Sequence, residues 1–132
     1  DFSKIPNGMP GVEPRLEVMW EAGVNGGRFG PNRFVELMAT TPAKMFGLYP
    51  KKGTIAPGGD ADIVIFDPNK KHTISVDNQH MRVDYSAYEG TEVTGKVDTV
   101  LSRGRVLISD GEYHGKPGDG EYLKRGTSQN LL

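Results

Sequence analysis

The sequence contains no cysteine. A chain without thiols forms no disulfide bond and offers no thiolate ligand to a metal, which is typical of cytoplasmic proteins. It also has no apolar run that approaches the ~20 residues of a membrane-spanning helix. We therefore expect a cytoplasmic protein that has no membrane partner.

A concentrated basic patch is missing as well. The 16 Lys and Arg residues are balanced by 17 Asp and Glu residues, which gives a net charge of −1. Because nucleic-acid-binding surfaces concentrate positive charge, we expect no nucleic-acid partner. The 132 residues, of which 36% are hydrophobic, suit one globular domain or the end of a larger one.

The chain opens on a loop. Two prolines and two glycines lie within residues 6–11, and such a cluster favours turns over helix or strand. A short, rigid loop of this kind needs another part of a protein to lie against. The surroundings of this loop therefore bear on function.

Apolar spacing predicts helices in the first fifty residues. The first covers residues 12–25 and ends at Gly26-Gly27, because apolar side chains recur every three or four positions, at Val12, Leu16, Met19, Trp20 and Val24. A second helix is predicted over residues 31–40. Thr41 is then predicted to be the N-cap of a third, short helix that has Pro42 in its first turn.

Beyond residue 51 the sequence becomes rich in β-formers. Residues 62–66 are predicted to form a buried strand between turns at Gly58-Gly59 and Asp67-Pro68. Hairpin turns are predicted at Arg103-Gly104 and Asp110-Gly111. We expect about five strands, whereas an isolated sandwich has roughly seven.

Neither half of the sequence looks self-sufficient. The predicted helices have apolar faces but no strand of their own to cover, and the predicted sheet is too small to stand alone. We therefore expect an α/β fragment, namely the last helices of a larger domain and part of an appended sheet. A small, self-contained α+β domain is the alternative.

Few residues have the spacing of a catalytic or metal site. His72, His80 and His114 are far apart, with no His-x-His or His-x-x-x-His pair, and we interpret all three as surface residues. Asp60 and Asp62 resemble a Ca²⁺ or Mg²⁺ motif only weakly, and we interpret them as turn and strand-end residues. We expect no catalytic residue and no metal ligand in this chain.

Several stretches resemble a known family. Residues 52–68 (KGTIAPGGDADIVIFDP) resemble the segment of the amidohydrolase superfamily in which the chain leaves a TIM-type (β/α)8 barrel for a small β-sandwich, and residues 40–48 resemble the helix before it. Residues 5–13 (IPNGMPGVE) are similar to the loop after the last barrel strand of dihydropyrimidinases and D-hydantoinases. Residues 83–90 and 115–125 are similar to the C-terminal region of the same family.

The resemblance implies a division into three parts. Residues 1–50 would be the last loop and helices of the barrel, and residues 51–114 would be strands of the C-terminal β-sandwich. Residues 115–132 would be an extended tail. The expected partner is the missing N-terminal barrel portion of the same enzyme. A homotetramer is also implied, in which residues 115–125 cross to a neighbouring subunit and bury Tyr122 and Leu123.

The resemblance also implies an activity for the complete protein. It would be a hydrolase of pyrimidine degradation that opens dihydropyrimidines or 5-substituted hydantoins to N-carbamoyl amino acids. Two zinc ions and a carboxylated lysine would lie outside this chain, since Asp1 is followed by Phe2 and does not match the family's Asp-His motif. Asn7 matches the position whose main chain binds the imide edge of the substrate. The alternatives are a non-catalytic scaffold of the same fold and a stand-alone β-rich binding module.

Overall fold

The computed structural model describes residues 1–5 and 8–130. After a short 3-10 turn come two helical runs, each interrupted by a π-helical segment. The first run is α1 (Arg15–Met19) with the segment Trp20–Asn25. The second is α2 (Pro31–Val35), the segment Glu36–Thr40 and α3 (Thr41–Met45). Within the described residues, no helix has the length and hydrophobicity to cross a membrane.

The first predicted helix is confirmed, but the predicted break before the third is wrong. Thr40 has helical dihedrals, φ −68° and ψ −47°, so Thr41 continues the helix and is not an N-cap. The Thr41 N–H donates to the carbonyl of Glu36, five residues back. This wider turn accommodates Pro42, which has no N–H to give to the helix ladder.

The β-rich half forms one antiparallel sheet in the order β1-β2-β3-β4. Its strands are Ile63–Thr73, Glu92–Ser102, Arg105–Ser109 and Glu112–Tyr113. Both predicted hairpins are confirmed, the first with Arg103 at φ 49° and Gly104 at φ 77°, as a two-residue type I′ turn requires. The described residues thus form four strands rather than about five.

Strand β1 is longer and less buried than predicted. The register with β2 shifts between Asp67 and Lys71, so Pro68 lies in a bulge, where its missing N–H leaves no ladder bond unmade. The strand therefore does not end at Asp67-Pro68. Val64 and Ile65 are 44% and 51% exposed, which means that the described residues do not cover this strand as expected.

An aromatic cluster joins the helices to the sheet. The Trp20 ring lies edge-on to Phe34, at 5.2 Å between centroids, and 5.1 Å from the Phe66 ring of β1. Gly95 of β2 lies against them with φ 125°, and a Cβ there would be 2.6 Å from Trp20 Cδ1. The expectation that the helices have no strand of their own to cover is therefore wrong.

Two carboxylates of the first helical run bind the backbone of β2. Glu17 Oε1 accepts from the Val97 N–H at 3.2 Å, and Glu21 Oε2 accepts from the Thr94 N–H at 2.8 Å. The bond from Thr94, together with one from Asn25, lowers the pKa of Glu21. Since the pairing of β2 with β3 begins at Val100, the carboxylates bind a part of β2 that β3 leaves open.

The core built by this chain is small. The buried apolar residues of the described part are Phe34, Ala43, Ile74 and Val93. Large apolar side chains remain exposed on both halves, including Phe2, Val12, Phe46, Ile55 and Val106. Apolar exposure on this scale is typical of a surface that another part of a protein covers.

The tail has neither helix nor strand over residues 115–130. It is nevertheless held to its own chain, because Gly126 N donates to the Gly47 carbonyl at 2.8 Å and Gln129 N donates to the Lys44 carbonyl at 3.0 Å. The Lys44 carbonyl lies in the last turn of α3 and the Gly47 carbonyl lies just beyond it. Leu131 and Leu132 lie outside the described residues.

Candidate functional site

The opening loop is held at its C-terminal end by Glu13. Its Oε2 accepts hydrogen bonds from the main-chain N–H groups of His80, at 2.7 Å, and Met81, at 3.1 Å. Its Oε1 lies 2.7 Å from His80 Nδ1. One carboxylate therefore fixes residues 79–88, which we call the brace segment, to the start of the first helical run.

The brace segment also reaches the middle of the loop. The Tyr85 hydroxyl donates to the Gly8 carbonyl at 3.1 Å, and a Cβ on Gly11 would lie 4.0 Å from the Tyr88 ring. Residues 8–13 are thus bonded to the brace segment at Gly8 and Glu13, and Gly11 lies near the Tyr88 ring between them. Asn7, the residue predicted to bind substrate, and Pro6 lie outside the described residues.

His80 connects this contact to the sheet. Its Nδ1 faces the Glu13 carboxylate and its Nε2 lies 3.0 Å from the carbonyl oxygen of Gly111, in the β3–β4 turn. Only the doubly protonated imidazolium donates to both acceptors at once. The hydrogen bond to Glu13 is the main cause that raises the pKa of His80, against a smaller opposing effect of burial.

The three histidines lie apart, as predicted, but one is not a surface residue. The His72 side chain is 13% exposed, and its Nε2 lies 3.0 Å from Glu17 Oε2. It faces inward because the first helical run packs over this part of the sheet. His114 is exposed and lies 2.9 Å from the Ser109 hydroxyl. Within residues 1–5 and 8–130, no group of three or more His, Asp or Glu residues is placed to hold a metal.

Asp60 and Asp62 have the structural role that the sequence predicted. Lys52 Nζ lies 2.8 Å from Asp60 Oδ2 and also contacts the Asp62 carboxylate. The hydrogen bond from Lys52 lowers the pKa of Asp60. Asp62 Oδ1 also accepts from the Arg103 N–H at 2.8 Å, so the pair fastens the turn before β1 to the β2–β3 hairpin.

Comparison with known proteins identifies the family. The model of the amidohydrolase family matches residues 15–107. The chain belongs to the amidohydrolase family. It is 56% identical to the D-hydantoinase of Streptomyces coelicolor over 99% of its own length and 28% of that protein's length. The resemblance to D-hydantoinases and dihydropyrimidinases is thereby confirmed, and the chain spans little more than a quarter of such a relative.

Solved structures agree with this membership. The chain superposes on D-hydantoinase from Bacillus sp. AR9 with a TM-score of 0.92 and 52% identity, over 98% of this chain and 28% of the other. It superposes on dihydropyrimidinase from Brevibacillus agri with a TM-score of 0.91 and 46% identity, over 100% of this chain and 28% of the other. The mixed helical and antiparallel architecture is therefore one that this family contains.

Sequence reasoning missed two contacts, that of Glu13 with His80 and that of Tyr85 with Gly8. The two partners in each contact are about seventy residues apart in the sequence, and no periodicity relates them. Glu13 and Tyr85 do fall inside stretches that resemble the family. That resemblance was the one signal in the sequence that related the opening loop to the brace segment.

We expect the protonation of His80 to depend on Glu13. The pKa of His80 is raised in the folded protein. The ion pair between the His80 imidazolium and Glu13 is therefore present below that raised pKa and is lost as pH rises through it. In the full-length protein, Glu13→Gln should bring the titration of His80 back toward the usual value of about 6.5. Hydrogen exchange at histidine C2, read by mass spectrometry for each peptide, measures this titration.

The matched control is Glu17→Gln, which removes a carboxylate from His72 instead. It should leave the titration of His80 unchanged. A His80 that titrates identically in the unmodified protein and in Glu13→Gln would show that this ion pair does not form.

Proposed function

We propose that the protein containing this chain is a cyclic amidohydrolase that opens dihydropyrimidines or 5-substituted hydantoins to N-carbamoyl amino acids. The observation that carries the proposal is the 56% identity to a D-hydantoinase over 99% of this chain. Pyrimidine degradation is the corresponding process for a dihydropyrimidine substrate, and the cytoplasm is its proposed location.

The metal centre is assigned to the rest of the protein. The described residues do not fit one, because they hold no suitable group of ligands. The proposal therefore places two zinc ions and a carboxylated lysine outside this chain. The role proposed for this chain is to bind and orient the substrate.

Asn7 is the residue through which we propose that this chain contacts the substrate. A cyclic imide or ureide presents a carbonyl next to an N–H, and one stretch of main chain, with its own N–H and C=O groups, complements that edge. The proline before Asn7 and the glycine after it suit such a contact, since one stiffens the loop and the other allows close approach.

The proposed arrangement follows the three parts that the resemblance implies. Residues 1–50 complete the barrel, residues 51–114 belong to the β-sandwich, and residues 115–132 form the tail. The exposed apolar side chains of Phe2, Val12 and Ile55 support a missing barrel portion as the neighbour that covers them. We propose that the tail contacts a neighbouring subunit in a homotetramer, because Tyr122 is 90% exposed and would be buried there.

A comparison of the full-length protein with the isolated chain tests the function. The full-length protein should hydrolyse dihydrouracil or a 5-substituted hydantoin and carry two zinc ions per subunit by elemental analysis. The isolated chain should do neither, because the residues that the structure describes hold no ligand set. A full-length protein that binds no zinc and opens neither ring would instead favour the non-catalytic scaffold.

Two Asn7 variants provide the control for this site. Asn7→Pro removes the main-chain N–H, whereas Asn7→Ala keeps it, so the proline variant should lose about tenfold more kcat/KM, roughly the value of one hydrogen bond to substrate. Equal losses would argue against a main-chain contact.

Removal of residues 115–132 tests the role proposed for the tail. In the full-length protein, this truncation should lower the assembly state seen by analytical ultracentrifugation, because it takes away the exposed Tyr122. Zinc content per subunit should stay the same. A truncated protein that still sediments as a tetramer would rule out the tail as an assembly element.

A further inference from the structure

We propose that Tyr85 is a positioning residue for substrate binding, which it serves by fixing the main chain next to Asn7. The inference rests on the proposed function, since it assumes that the loop around Asn7 contacts the substrate. The supporting observation is that the Tyr85 hydroxyl donates a hydrogen bond to the Gly8 carbonyl at 3.1 Å. Gly8 directly follows Asn7 in the sequence.

The surroundings of Gly8 are open. It is exposed, and within the described part of the chain no heavy atom lies within 4 Å of the position that a Cβ would occupy there. A glycine without packing neighbours is free to take many backbone conformations. The hydrogen bond from the Tyr85 hydroxyl restricts the peptide between Gly8 and Met9.

The loop that contains the brace segment is closed by hydrogen bonds at its base. It follows Ile74, which is 1% exposed and whose carbonyl accepts from Gly90 N at 2.9 Å. Thr91 N donates to the Tyr88 carbonyl at 2.9 Å. The loop that carries Tyr85 is thus closed at its base onto a buried residue.

A second anchor limits the motion of the loop from the other side. Glu13 accepts from the N–H groups of both His80 and Met81. With Gly8 and Glu13 both held by the brace segment, the intervening residues cannot move away as a unit. The main chain of residues 8–13, which follows Asn7 directly, is then preorganised, and this lowers the entropy lost when a substrate binds.

Tyr85→Phe in the full-length enzyme tests the inference, because it removes the hydroxyl and keeps the ring. The expected result is a KM for the ring-opening substrate raised about 2- to 10-fold, the range for one lost hydrogen bond, with kcat largely retained. The peptide covering residues 2–12 should also exchange its amide hydrogens faster. The matched control is Tyr88→Phe, since the Tyr88 hydroxyl makes no hydrogen bond within the described residues.

Each outcome decides a separate question. An active Tyr85→Phe enzyme with unchanged KM and unchanged exchange in residues 2–12 overturns the inference, and so does an equal effect of Tyr88→Phe. An unmodified enzyme that opens neither dihydrouracil nor a hydantoin overturns the proposed function instead. In that case, unchanged exchange in Tyr85→Phe would also disprove the anchoring of Gly8, whereas faster exchange would support it.

Discussion

The contact between the first helical run and strand β2 sets how the helices are positioned on the sheet. Glu17 and Glu21 are four residues apart, so they lie on one helix face, and each accepts a backbone N–H from β2. Trp20 lies between them in sequence and fills the space against Phe66 and Gly95. The polar bonds set the position of the helix along the strand, and the aromatic contact sets how closely the two approach.

The opening loop and the brace segment depend on that contact. The loop leads directly into α1, and the brace segment lies between β1 and β2, so the helix–sheet junction brings the two together. Glu13 then bonds to His80, and Tyr85 bonds to Gly8. A region that we propose to contact substrate is thus supported by the β-rich half of the chain, about seventy residues away in sequence.

Local patterns predicted much of this fold. The 3–4 spacing around Trp20 and the Arg103-Gly104 turn each reflect a single element, and both were predicted correctly. The predicted helix start at Thr41 and the predicted strand end at Pro68 were wrong. Prolines usually end an element, but here a π-helical turn accommodates Pro42 and a β-bulge accommodates Pro68. His72 was misread as a surface residue because its burial comes from a helix fifty-five residues earlier.

The pairings in the candidate site lay beyond such patterns, since nothing local relates Glu13 to His80 or Gly8 to Tyr85. The family resemblance indicated that the loop matters for function, and the structure shows which residues bind it. The small core and the exposed apolar residues of both halves fit a chain that spans 28% of the relatives it matches. Its two halves are nevertheless joined to each other through Glu17, Glu21 and Trp20.

Amide hydrogen exchange at Thr94 tests the helix–sheet junction most directly. In the full-length protein, the amide of Thr94 should be protected, because its N–H is bonded to Glu21 at 2.8 Å. Glu21→Ala should speed its exchange severalfold, as expected for the loss of about 1 kcal/mol, and leave the β2–β3 hairpin unchanged. A Thr94 amide that exchanges at the same rate in both proteins would contradict this account.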